Sequence, residues 1–154
     1  MEHAGAIPSF LSEELCFNLD VDEDWPPVAV EEVPSEPVSG AYKVLMPPLF
    51  VKDLSVGDVI SVVRDDKGYV DAWTHAFRSD RTTIWLLRLK STPSIEGALT
   101  KLRALGCNIV SLQAAGSFSV DVPAEIPFAH VDAILNKLDG DEVGIAYPSL
   151  RHSV

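Results

Sequence analysis

Apolar positions recur along this chain with two periods, and the switch between them divides it in two. In the first half the period is two. Leu15, Phe17, Leu19 and Val21 alternate with polar neighbours, which predicts a half-buried strand over 15–21. Residues 27–33 and 41–45 are further strand candidates. Residues 58–64 and 69–77 flank Asp65-Asp66-Lys67-Gly68, a hairpin turn in which Gly68 supplies the positive φ. Five short strands predict a β-rich lobe over 13–78, a small barrel or a curled sheet.

In the second half the period shifts to 3.6 in two places. Residues 81–89 are β-branched and apolar, a strand. Thr92 is placed to cap a helix with Pro93 at its first position, and Ile95, Ala98, Leu99, Leu102 and Leu105 form its apolar stripe up to Gly106. Strands follow at 108–114 and 117–122, with Phe118, Val120 and Val122 on one face. Pro127 opens a second helix with the stripe Phe128, Val131, Leu135 and Leu138, which Gly140 ends, and 142–148 is the last strand. The order β-α-β-β-α-β predicts a ferredoxin-like lobe over 79–150, giving an α+β protein with the β-rich lobe packed on it. Strand 81–89 is apolar on both faces, so its second face is expected to be covered, by the N-terminal half or by another chain. Residues 1–12 and 151–154 are expected to be a flexible N-terminus and a flexible tail.

Charge is distributed as unevenly as hydropathy. Residues 1–42 hold ten acids and no Lys or Arg, whereas the rest holds thirteen acids against all twelve basic residues. All but one of the eleven net negative charges therefore lies in the first 42 residues. Phosphate contacts drive nucleic-acid affinity, so this composition argues against a nucleic-acid partner and favours a basic protein surface. No apolar run reaches the roughly 20 residues of a membrane span, and the first residues lack the basic start and apolar core of a signal peptide. The expectation is a cytoplasmic protein that binds no membrane. Cys16 and Cys107 read as two small buried residues rather than a disulfide.

Sequence signals for chemistry are sparse. His3, His75, His130 and His152 have no partner at metal-ligand spacing, and there is no GxSxG elbow, phosphate loop or EF-hand loop. No cofactor and no metal is expected, and the chain does not read as an enzyme. Strand alternation places Asp71, Trp73 and His75 on one face, a candidate pocket. Trp25 directly follows Asp22, Glu23 and Asp24, an aromatic anchor beside charges of the kind interfaces use, with Glu31 and Glu32 nearby.

The order of motifs also resembles that of a bacterial family, the "domain of unknown function 4265" family. The residues that carry the resemblance are DEDWPPVAVEEV, YKVLMPPLFVKDLSVGDVISV, LRALGCNIVSL and SFSVDVPAEIPFAHVDAILNKL, within residues 15–150. Members carry a short Gly-His or Gly-Asn motif before the middle strand, where this chain has Asp80 and Arg81. Chemistry resting on that motif is therefore not expected here. The resemblance implies architecture rather than mechanism. By analogy with small acidic bacterial antitoxins, the leading expectation is a non-enzymatic module binding a basic protein, as an immunity-type inhibitor binds a toxin. Its candidate contact residues are Asp22, Glu23, Asp24, Trp25, Glu31 and Glu32. The alternative is a small-ligand-sensing regulatory domain acting as a homodimer through its sheet face.

Overall fold

The computed structural model describes residues 13–153. Nine strands and two helices follow one another as β1 (Glu13–Asn18), β2 (Val30–Val38), β3 (Ala41–Val44), β4 (Val59–Arg64), β5 (Val70–Phe77), β6 (Thr82–Arg88), α1 (Ser94–Leu105), β7 (Asn108–Leu112), β8 (Ser117–Val122), α2 (Phe128–Leu135) and β9 (Val143–Ser149).

Strands β1 to β5 pair in sequence, each antiparallel to the next. β1 also meets β5, in parallel and at one position only, Phe17 opposite Val70. Of the two forms expected, the curled sheet describes it best: a ring whose seam is a single pair, not a continuously bonded barrel. Its core is Leu15, Phe17, Val33, Val44, Ile60 and Val70, with Val51 and Leu54 from the loop before β4. The alternation of β1 and β2 produces this directly, since their inward positions are the buried ones.

The second sheet has the order β7-β8-β6-β9, and all its pairings are antiparallel. Ile84 and Leu86 of β6 and Phe118, Val120 and Val122 of β8 pack with Ile95, Leu99 and Leu102 of α1 and Val131 and Leu135 of α2. Both helices therefore cover one face. α1 begins at Ser94, one residue past the predicted Pro93, and the Thr92 hydroxyl accepts the Ser94 amide at 3.3 Å. α2 ends at Leu135, before the predicted Gly140.

The opposite face of this sheet is covered in part by the chain's own segment 47–58. The Pro48 carbonyl accepts from Trp85 Nε1 at 2.8 Å and from Ser119 Oγ at 2.7 Å. Ser55 Oγ lies 3.0 Å from Thr83 Oγ1 and donates to Ser149 Oγ at 2.8 Å. The second face of β6 is thus covered in part by the N-terminal half, at Thr83 and Trp85, which limits the sheet face open to a second copy. No helix among the described residues is long and apolar enough to cross a membrane.

The expected flexible tail is corrected at two residues. Arg151 donates from Nη1 and Nη2 to the two carboxylate oxygens of Asp58, both at 2.9 Å, and the His152 amide donates to Thr82 Oγ1 at 3.0 Å. Their partners are distant in sequence, and for that reason local composition does not reveal them.

Candidate functional site

Where the ring meets the second sheet, a cleft of about 730 Å³ remains. Its sheet wall comes from two alternate rungs. One carries Ser117, Leu87 and Gly144 across β8, β6 and β9, and the other gives Trp85 and Ala146 of β6 and β9. Gly144 and Ala146 have almost no side chain, so β9 leaves space beside Leu87 and Trp85 instead of filling it. The ring wall is Phe17, Val70 and Trp73, and Leu49 to Lys52 close one side. Trp73 is held edge-on to Phe17 and His75, at centroid distances of 6.5 and 5.1 Å.

A short hairpin forms the mouth. Asp22 and Trp25 exchange both backbone hydrogen bonds, at 2.9 and 3.0 Å. Glu23 and Asp24 between them have φ of 53° and 66°, the left-handed pair that a two-residue hairpin turn demands. This puts Glu23 and Asp24 at an exposed tip and turns Asp22 and Trp25 toward the cleft. Trp25 is 45% exposed and rests edge-on against Phe50 at 5.8 Å. Asp20, Asp22 and Asp71 are exposed carboxylates at the cleft, and Lys52 is its one basic residue. Among the described residues none of these four makes an ion pair.

At the base of the cleft, Ser117 is 5% exposed and its hydroxyl has no hydrogen-bond partner. It lies on the same face of β8 as Ser119, two residues on. Segment 47–58 reaches Ser119 through Pro48 and stops short of Ser117.

The structure thus brings together Asp22, Trp25, Asp71 and Trp73 of the candidates, and adds Asp20, Lys52, Trp85 and Ser117, which no local motif marks. Glu32 is exposed beside a separate hollow of about 210 Å³. Glu31 is a correction. It is 9% exposed, and its carboxylate accepts the amides of Leu49, Phe50 and Val51, holding the loop that walls the cleft. Burial pushes its carboxyl above the usual range, and those three amides only partly offset the shift. An acid in this environment serves the loop and is unavailable to a partner.

His75 is a second correction. Irregularities in the β4–β5 pairing at Val63/Arg64 and Val59/Ile60 break the simple alternation, and Asp71 turns outward while Trp73 and His75 stay half-buried. His75 Nε2 sits 2.9 Å from Asp58 Oδ2 instead. Asp58 is fully buried, accepts the amides of Ser55 and Ser79, and receives Arg151 bidentately. Burial alone would raise its carboxyl. Arg151, the two amides and His75 together outweigh burial and hold it below the ordinary value. Gly57 makes this possible: its φ is +88°, and a Cβ there would sit 3.1 Å from Ser79 Cβ. A lesser pair of the same kind joins Arg81 to Asp121, at 2.9 and 2.6 Å. The Asp58–Arg151 contact joins ring to sheet, the Arg81–Asp121 pair lies within the second sheet, and both stand outside the cleft.

The thiol of Cys107 is pushed up to about 11 by burial, and both cysteines are free. No cluster of metal-ligating side chains occurs among the described residues.

The fold and cleft define a class: a two-sheet α+β protein with an aromatic-lined cavity of ligand size at the junction of its sheets. Residues 31–146 match the domain of unknown function (DUF4265), and the chain belongs to that family. It is similar to a hypothetical protein from Neisseria gonorrhoeae known from its crystal structure. The identity is 21%, the TM-score 0.67, and the match covers 92% of this chain and 96% of that one. That likeness concerns the fold. No curated protein matches the chain.

Proposed function

We propose that this protein is a non-enzymatic recognition module that engages a basic protein. The observation that carries the reading is the hairpin: it presents Glu23 and Asp24 at its tip and sets Asp22 and the half-exposed Trp25 beside a cleft with two further carboxylates. Carboxylates at a rim raise the on-rate and reject wrong partners, and a central aromatic supplies burial. Asp20 and Asp71 join Asp22, Glu23, Asp24 and Trp25 in the contact set, and Glu31 leaves it. An immunity-type inhibitor covering the cationic site of a toxin is one concrete form of such a module. The reading of residues 79–150 as a ferredoxin-like scaffold belongs to the same proposal, and the strand order β7-β8-β6-β9 with two helices on one face supports it.

The test is affinity capture from the host extract with wild type and with a D22K/E23K/D24K variant, at low salt and at roughly 0.5 M salt, where the Debye length falls below ~5 Å. A basic protein held by wild type, weakened by salt and lost by the variant supports the proposal. Undiminished capture by the variant overturns it.

A further inference from the structure

The cleft has three properties that together specify an occupant. Its walls are aromatic, with the indoles of Trp25, Trp73 and Trp85 all contributing. Its carboxylates, Asp20, Asp22 and Asp71, outnumber its one basic residue. Its base holds a hydroxyl, Ser117 Oγ, that is buried and unpartnered. A buried hydroxyl without a partner is uncommon, because losing water without replacement is costly. An apolar ligand would leave that hydroxyl unsatisfied, and an anion would meet the carboxylates.

We infer that the cleft is a socket for an arginine or lysine side chain of a partner polypeptide, with neighbouring residues of the same segment filling the rest. The cationic head lies among the indole faces and the carboxylates, the arrangement in which cation–π attraction and ion pairing reinforce one another. A backbone carbonyl of the inserted segment accepts the hydrogen bond from Ser117. Two observations favour a polypeptide over a free amine. The cavity is larger than one basic side chain needs. The acidic field also extends past the cleft to Glu23 and Asp24 at the hairpin tip, which suits a partner carrying several charges. The inference rests on the proposed function and narrows it to one contact.

The test uses the full chain, labelled with nitrogen-15, and a capped tripeptide with a central arginine flanked by leucines. The control peptide replaces arginine by neutral citrulline. Saturable shifts of the Trp73 and Trp85 indole N–H signals are expected with the arginine peptide. The citrulline peptide is expected to bind at least about tenfold more weakly, and Ser117→Ala to weaken the arginine peptide by about tenfold. Ala146 is exposed on an edge strand, so Ala146→Trp fills the cleft without loading the core, and it is expected to abolish the shifts. Equal binding of the two peptides, or full binding by Ala146→Trp, overturns the socket. Spermidine binding as tightly as the arginine peptide overturns the polypeptide as its occupant. The two proposals separate cleanly. If Ala146→Trp still captures a basic protein that the hairpin variant loses, the socket fails and the recognition module stands. If the peptide binds the cleft while hairpin reversal leaves capture unchanged, the module fails and the socket stands.

Discussion

The contact between ring and sheet contains two regions built from similar residues to opposite ends. At one, around Asp58, carboxylate, guanidinium, imidazole and amides meet one another, and both oxygens of the acid are occupied. At the other, aromatic walls lead to a buried hydroxyl without a partner, and the exposed carboxylates at the cleft make no ion pair among the described residues. Ser119 and Ser117 show the difference at the scale of one strand: the first is met by Pro48 and the second by nothing. Where this chain completes its own polar groups, it builds a joint. Where it leaves a hydroxyl incomplete, a cleft remains, and that is the space the proposed socket uses.

The largest effect should come from breaking the joint. Asp58→Ala leaves the nearly buried Arg151 and two amides without their acceptor, and should cost about 3–5 kcal/mol in denaturant unfolding. A loss below about 1 kcal/mol would show that the joint does not hold the two halves. Glu31→Ala frees three amides of the cleft wall and should cost about 2–3 kcal/mol, with loosening confined to Leu49–Val51 in amide exchange.

The two acids should also respond to pH with opposite sign. Asp58 is held below its ordinary value of 3.8, so its contribution is present above that value and is lost as pH falls through its folded value. Glu31 is raised above its ordinary 4.5, so its contribution is present below that value and is lost as pH rises through its folded value. A stability–pH profile of Asp58→Asn should lose the acid-side decline, and that of Glu31→Gln should lose the gain seen on approaching pH 4.5 from above.

The serine pair gives a smaller and sharper contrast. Ser119→Ala should cost about 1 kcal/mol, whereas Ser117→Ala should be neutral or slightly stabilising, because it removes an unpaired hydroxyl. Equal losses would erase the distinction drawn between the two regions. Of similar size, the D22K/E23K/D24K variant should unfold within about 1 kcal/mol of wild type, since these exposed acids make no ion pair among the described residues and only the left-handed turn at Glu23 and Asp24 resists the change.

Elements were legible in the sequence where local patterning decides them. The stripes of both helices, the hairpin closed by Gly68 and the alternation of β1 and β8 all lie near their predicted places. Boundaries moved where tertiary contact decides: β2 runs on to Val38 because β3 pairs with it, and α2 stops short of Gly140. Half of the cleft was legible as well. Asp22, Trp25, Asp71 and Trp73 stood out as charged and aromatic residues in short stretches. Ser117, Trp85 and Lys52 did not, because what makes them notable is the company of residues remote in sequence. Glu31 and His75 misled for the same reason. An acid in an acidic run reads as exposed until three amides are found around it, and a histidine four residues from an aspartate pairs with a different aspartate when the strand bulges.

The Asp58–Arg151 contact spans 93 positions of the chain. During synthesis the ring's five strands leave the ribosome long before the guanidinium that satisfies their buried acid, and all of the second sheet is made in between. Until then Asp58 has the amides of Ser55 and Ser79 and the ring of His75, and lacks only its cation. A chain cut before Arg151 should therefore leave its buried acid short of its cationic partner, and the waist between ring and sheet should be the first place to open.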